Sequence, residues 1–356
     1  GAFALYSNTE GQFNVANGEF ALYFNTTGER NTAIGDSALY LNTEGSRNIA
    51  IGNAAMLNNT IANDSTAVGD GALFFNNSPA NTAVGSGALA SNTDGEVNTA
   101  VGFNALNSNV HGGFNTALGY ECLINNEDGT HNTASGVNAL RLNTTGSDNT
   151  AIGDGALFTN GSGGQNTALG ENAGRNQTTG SGNVYIGADG VSGVPGENNS
   201  CYIASIFNQT SPSGTAVFIN ANNKLGTSTS SKRFKDDIQP MQNTSQALFS
   251  LRPVKFRYKQ EIDPEHRQQF GLVAEDVEEI NPDLVVCDKE GKAYSVRYDQ
   301  VNAMLLNEFL NEHRTVQAQQ KEIDALKQEL KDQRALIEKV NARMDKAAPQ
   351  LVVDQL

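Results

Sequence analysis

The chain has 356 residues, of which 36 are glycine and none tryptophan, and only 18% are charged, a profile unlike that of most globular enzymes. Its net charge of −15 disfavours a nucleic-acid partner, because phosphates would be repelled, and no apolar run of about 18 residues is available for membrane insertion. The charge is unevenly spread: residues 1–229 carry 17 acids against 5 Lys/Arg, or −12, and residues 230–356 carry 22 against 19, or −3.

From residue 1 to about 190 the sequence repeats. Asn31-Thr32-Ala33-Ile34-Gly35 returns at Asn81, Asn98, Asn115, Asn132, Asn149 and Asn166, and the repeat glycines step by 17 residues from Gly1 to Gly187, with one step of 16 between Gly69 and Gly85. Each unit reads N-T-A-(I/V)-G-x-x-A-L-x-x-N-x-x-G-x-x. The N-T-A-I and A-L pieces are short strand candidates punctuated by Gly and Asn. A coil of 17 residues has a contour of roughly 55 Å, at about 3.3 Å per residue, enough to go round once and close on a thin core. The fold class expected is therefore mainly β, a parallel β-solenoid over residues 1–190. Stacked coils should bury ladders of Ile/Val, Ala and Leu, such as Ala33, Ile34, Ala38 and Leu39, with Asn and Thr ladders along the turns. Gly1-Ala2-Phe3-Ala4-Leu5 enters the repeat in mid-phase, matching Gly18-Glu19-Phe20-Ala21-Leu22, so a piece of a longer protein is expected.

Little in the repeats suggests chemistry. His111 and His131 are 20 residues apart and do not share a repeat phase, which argues against a metal site. Cys122, Cys201 and Cys287 show no paired spacing and read as small buried thiols rather than a disulfide framework or metal knuckle. No cofactor is implied. Phe24, Tyr40, Phe74, Phe75 and Phe158 follow the A-L pair; they either pack between adjacent coils or chains, the simpler reading, or form an outward stripe for a host-surface glycan or receptor. The N-T-A-I-G units resemble the head repeats of trimeric autotransporter adhesins, and more closely the repeats that precede tail-fibre-type C-terminal domains.

Residues 191–229 read as a β-rich neck. Cys201–Ile206 and Thr215–Asn220 are strand candidates between Ser/Pro/Gly-rich stretches, and the expected result is a stem to which each chain contributes strands. At Ser230-Ser231-Lys232-Arg233-Phe234-Lys235 the character of the chain changes to an ordinary, charged sequence. A serine hydroxyl is a poor nucleophile until a base takes its proton. A lysine can be that base when desolvation populates its neutral amine, as in known Ser-Lys variants of the serine-hydrolase arrangement.

This hexapeptide, followed by Leu251-Arg252-Pro253-Val254-Lys255-Phe256-Arg257-Tyr258, by Phe270-Gly271-Leu272-Val273-Ala274-Glu275-Asp276-Val277 and by Tyr298 at a helix start, resembles the endosialidase-type intramolecular chaperone domain over about residues 225–345. The family pattern at its start is roughly Ser-Asp-x-Arg-x-Lys. The resemblance implies a small α+β self-processing module over 230–308, with Ser230 as nucleophile, Lys235 as base and Thr229–Ser230 as the scissile bond. Arg233 would then pair with a carboxylate to fix the loop. Ser231 stands where the family often has Asp and is a second candidate hydroxyl; the spacing to Arg233 and Lys235 favours Ser230. The activity implied is a single-turnover serine endopeptidase acting on its own backbone and on no other substrate.

Phe309, Val316, Ile323, Leu330, Ile337 and Met344 recur every seven residues, with Leu326 and Val340 at the second seam position. This predicts a coiled coil over 309–346, followed by a tail over 347–356. The family implies a homotrimer. The functional expectation is a trimeric fibre or adhesin, on a phage tail or an extracellular cell-surface appendage, whose C-terminal module sets register and then cuts itself free. The alternative is a permanent, uncleaved trimerisation clamp. Neither a membrane-bound transcription factor carrying this domain nor a glycan-degrading spike fits, since no membrane span and no paired carboxylates are found.

Overall fold

The computed structural model describes residues 1–187, 195–206 and 214–353, with side chains as far as residue 346. The chain divides into two compact units, Gly1–Thr210 and Ser211–Leu356.

The first unit is the expected parallel β-solenoid. Each coil supplies one three-residue strand, and twelve of them, from β1 (Val15–Asn17) to β12 (Cys201–Ile203), stack in chain order as one sheet. Partners are 17 residues apart, as in Thr32↔Ile49, except across the short coil, where Thr66 pairs with Thr82. The sheet continues one rung beyond the expected end at residue 190, because Val184 pairs with Cys201 at the same 17-residue spacing. The strand expected over Cys201–Ile206 is only its first three residues.

Two expectations about the coil fail for identifiable reasons. The Ile/Val ladder is not in the core. Side chains alternate across a strand, and it is the middle alanine that points inward: Ala33 is fully buried while Ile34 is 38% exposed. The A-L pair is not a strand either. Leu22, Leu39, Leu106 and their equivalents sit at φ near +53°, a conformation uncommon for leucine, yet all but Leu5 of the first coil are fully buried. The turn swings the leucine into the core, and its N–H is bonded by the next coil, as in Leu39 N–H to Ala55 C=O at 3.0 Å.

Glycine is required where coils touch. A Cβ on Gly35 would lie 2.3 Å from the carbonyl oxygen of Gly52, and the same holds down the column. The inward-facing apolar groups of a coil are thus small: two alanines and one leucine.

Asparagine fills the rest of the interior, not the turns. In one ladder the side chains bond each other: Asn109 Nδ2 donates to Asn92 Oδ1 at 2.8 Å and Asn126 Nδ2 to Asn109 Oδ1 at 2.7 Å. In the other, each Asn Oδ1 accepts the backbone N–H of the equivalent residue in the next coil, as Asn31 does from Asn48 at 2.9 Å. Both ladders converge on one carbonyl: Gly45 C=O accepts from Asn31 Nδ2 at 2.8 Å and from Asn42 Nδ2 at 2.9 Å. Aromatic columns run along the outside within one chain: Tyr6, Tyr23 and Tyr40 stack at 5.2 and 5.5 Å, and Phe24 meets Tyr40 edge-on at 5.2 Å.

The pattern changes in a coordinated way at its last coils. Tyr185 occupies the place of the inward alanine, Gly174 that of the leucine and Gln177 that of the asparagine. A Cβ on Gly174 would lie 2.6 Å from the Tyr185 ring, so glycine makes the space that the tyrosine fills. Tyr202 stacks on Tyr185 at 5.5 Å. Burial, aided by Tyr202 and Glu197, pushes the Tyr185 phenol up to about 12. Gln177 turns its amide to Glu197 C=O at 2.9 Å, which leaves Asn160 Oδ1 at the end of its ladder without a donor.

In the second unit, β13 (Val217–Ile219) and β14 (Leu225–Thr227) form an exposed antiparallel hairpin, shorter than the strand expected over Thr215–Asn220. The segment from 214 to 240 is exposed throughout. A 3-10 helix, Gln242–Ser250, leads to the antiparallel pair β15 (Val254–Arg257) and β16 (Gln268–Gly271), then to α1 (Ala274–Ile280) and a second pair, β17 (Val285–Cys287) with β18 (Ala293–Val296). The long helix α2 (Tyr298–Val353) starts at the expected Tyr298 and runs into the segment expected to be a tail. Val277, Leu284, Val285, Val296, Val301 and Met304 form a small core. The β15–β16 pair lies outside it: β15 has no fully buried residue and Phe270 on its partner is exposed. The cysteines also depart from expectation. Cys122 is buried, which pushes its thiol up to about 12, but Cys201 and Cys287 are exposed.

Replacing Asn109 by alanine is expected to strip partners from Asn92 and Asn126 and lower stability by about 2 kcal/mol in denaturant unfolding. The same change at half-buried Asn125, beside Asn126, is expected to cost less than about 0.5 kcal/mol. Restoring the repeat residue with Gly174→Leu should destabilise by about 2 kcal/mol through collision with Tyr185. Adding Tyr185→Ala should recover much of the loss, a coupling readable in a double-mutant cycle.

Candidate functional site

Ser230 and Lys235 flank a one-turn 3-10 helix, Lys232–Phe234. The turn is closed by Phe234 N–H to Ser231 C=O at 3.0 Å and Lys235 N–H to Lys232 C=O at 3.2 Å. It folds the hexapeptide back so that Ser230 and Lys235 line one open depression, together with Lys232, Asp236, Asp237 and Ile238. Both residues singled out for nucleophile and base therefore border that depression. Ser231 caps the turn, and its N–H is donated to Thr229 Oγ1 at 3.4 Å across the expected scissile bond. Arg233 lies over the ring of Phe234 at 4.7 Å, where a carboxylate had been expected.

All six residues of the turn are exposed. A lysine becomes a base when desolvation makes its charged form costly, and one chain leaves both Ser230 and Lys235 in water.

What anchors the module behind this turn is a buried polar cluster with no counterpart in the sequence reading. Ser245, fully buried on the 3-10 helix Gln242–Ser250, accepts from Asn307 Nδ2 of α2 at 2.7 Å and donates to Glu308 Oε1. Asn307 Nδ2 also donates to Gln242 C=O at 3.0 Å. Tyr298 Oη accepts from Leu272 N–H at 3.0 Å, and a Cβ on Gly271 would lie 2.9 Å from that oxygen, which explains the glycine of the Gly271-Leu272-Val273-Ala274 string. A second depression is lined by Leu251, Leu272, Val273 and Ile280, with the Arg252–Asp276 pair at 3.3 Å beside it.

Residues 230–286 match the family model for the chaperone of endosialidase. The match opens on Ser230 and spans the 3-10 helices, β15, β16, α1 and most of β17. The match lies within the resemblance expected over 225–345, and α2 follows the matched residues. Searches of curated proteins and of solved structures gave no match.

In the repeat unit, His111 Nδ1 is 3.0 Å from Asp94 and His131 stacks on Phe114 at 5.0 Å. Among the described residues no cluster of three His, Cys, Asp or Glu side chains has metal-binding geometry, and no helix is long and apolar enough to cross a membrane. Phe158 lies between the guanidinium groups of Arg141 and Arg175, at 5.8 and 4.9 Å.

Ser245→Ala should leave Glu308 without its buried donor and loosen the 3-10 helix from α2, at a cost of about 1–2 kcal/mol. Faster amide exchange confined to residues 242–250 and the start of α2 would report it.

Proposed function

We propose that this chain is a trimeric fibre or adhesin of a phage tail or cell-surface appendage, whose C-terminal module assembles three copies in register and then cuts the chain at Thr229–Ser230. The observation that carries the reading is the order of the chain: a chaperone match begins on an exposed segment downstream of a long stack of near-identical coils, with one exposed hairpin between them. A repeat solenoid needs an external reference for register, because pairing one coil out of phase preserves nearly every contact.

The trimer is supported by apolar surface that one chain leaves uncovered. Phe309, Val316, Ile323 and Leu330 on α2 are at least 45% exposed, at heptad spacing, and so suit a coiled coil. Val217, Phe218, Ile219 and Leu225 of the β13–β14 hairpin are likewise exposed, as a stem shared between chains would require.

In the cleavage step Lys235 takes the Ser230 hydroxyl proton, Ser230 Oγ attacks the Thr229 carbonyl carbon, and the Thr229–Ser230 C–N bond breaks as the Ser230 nitrogen is protonated. Water then releases the Thr229 carboxylate from its ester. Packing of neighbouring chains around the exposed turn would supply the desolvation that Lys235 needs. Cutting thus follows assembly, and loss of the module traps the product kinetically. A host-surface glycan or receptor is the partner expected for the fibre itself.

Wild type, Ser230→Ala and Lys235→Ala are to be compared on a denaturing gel, with native mass measured in parallel. Two fragments in wild type, lost in both variants, and a native mass of three chains are the expected results. An intact wild-type trimer would leave the module as a permanent clamp, for which the Ser231 departure is the specific argument; a one-chain mass would overturn the trimer.

A further inference from the structure

The outer face of the twelve-stranded sheet is a long, largely aliphatic and threonine surface, and its strands carry no charge. Its third-residue column, from Asn17 to Ile203, holds Ile, Val or Leu at ten of twelve rungs, and members such as Ile34, Val101 and Leu169 are 38–49% exposed. Its first-residue column is threonine at eight rungs. None of the twelve strands contains Asp, Glu, Lys or Arg, although residues 1–229 carry 17 acids.

We infer that this strip is the surface along which the repeat units of three copies of the chain meet, parallel and coil for coil. The inference rests on the trimer proposed above and names the surface that makes it. Three observations select a second copy as occupant. The strip repeats at the coil spacing of about 4.8 Å over about 53 Å, so only a surface of the same pitch meets it along its whole length. Acidic shafts repel, and this face lets two of them approach without burying a carboxylate. The heptads of the same chain join copies side by side.

The strip is narrow. Three residues of strand span about 10 Å, giving on the order of 500 Å² per chain, below the roughly 800 Å² per partner of a standard stable interface. It closes once the coiled coil has raised the local concentration of the other copies. The strip also carries a register mark. Ser135 takes the place of the aliphatic residue on β8 (Thr133–Ser135). In register, three Ser135 hydroxyls face one another. One coil out of phase, each faces Leu118 or Ile152 and is buried without a partner.

The test uses the full chain with Cys201→Ser and Cys287→Ser, carrying Ser135→Cys on the strip or Thr145→Cys on an exposed turn, treated with a flexible bismaleimide. Linked two-chain product from Ser135→Cys, little from Thr145→Cys, and loss of the product when Val101→Glu and Leu118→Glu are added are the expected results. A native mass of three chains with no linkage at position 135, or with linkage that survives the added glutamates, would overturn the strip while leaving the trimer. A mass of one chain would overturn both.

Discussion

The interior amide ladder is the interaction on which the repeat unit depends. A coil whose backbone approaches its neighbour within glycine distance has no room for large side chains, and two alanines and a leucine cannot exclude water from a space that size. Asparagine resolves this because its amide both donates and accepts, so a column of identical residues satisfies itself. The glycine three residues after most of these asparagines follows from the same requirement: its carbonyl takes two amide donors, and a Cβ on Gly45 would fall 2.3 Å from Asn42 Oδ1. A buried polar column fixes the vertical register of coils within a chain more sharply than aliphatic contacts would, because a half-step leaves donors facing donors.

The period was legible in the sequence and the sidedness was not. Seventeen-residue spacing, the parallel stack and the strand at Thr-Ala-Ile all follow from where Asn, Gly and Ala recur. Hydrophobicity alone then assigns Ile34 to the core and Asn31 to a turn, and the structure reverses both. The reason is volume: with the coils in glycine contact, the strand interior admits a methyl group and little more, so Ala33 goes in and the alternation forces Ile34 out. The leucine at positive φ was equally hidden, since no propensity favours it; burial and a bond from the next coil sustain it.

In the second unit, sequence and structure agree where the signal is a helix or a turn. Tyr298 begins α2, and a 3-10 turn lies between Ser230 and Lys235. The buried Ser245–Asn307–Glu308 cluster was not legible, because a serine and an Asn-Glu pair 62 residues apart have no pattern linking them. The turn puts the hydroxyl of Ser230 and the amine of Lys235 on the border of one depression and leaves both in water. A chemistry that needs a desolvated lysine therefore needs more than this turn.

The coordinated replacements at Gly174, Gln177 and Tyr185 have a consequence for how such a chain changes length. Most coils between Gly18 and Gly153 present the same Asn, Ala and Leu to both neighbours, with Met56, Ser65, Cys122 and the 16-residue coil as departures, so duplicating or deleting a standard coil leaves the ladders intact. The stretch from Gly174 to Tyr185 cannot be copied this way: the tyrosine ring needs the space that Gly174 leaves, and Gln177 turns its amide to Glu197 C=O. The shaft is therefore open to lengthening among its standard coils but not at Gly174–Tyr185, which the sequence keeps as a fixed zero from which coils are counted.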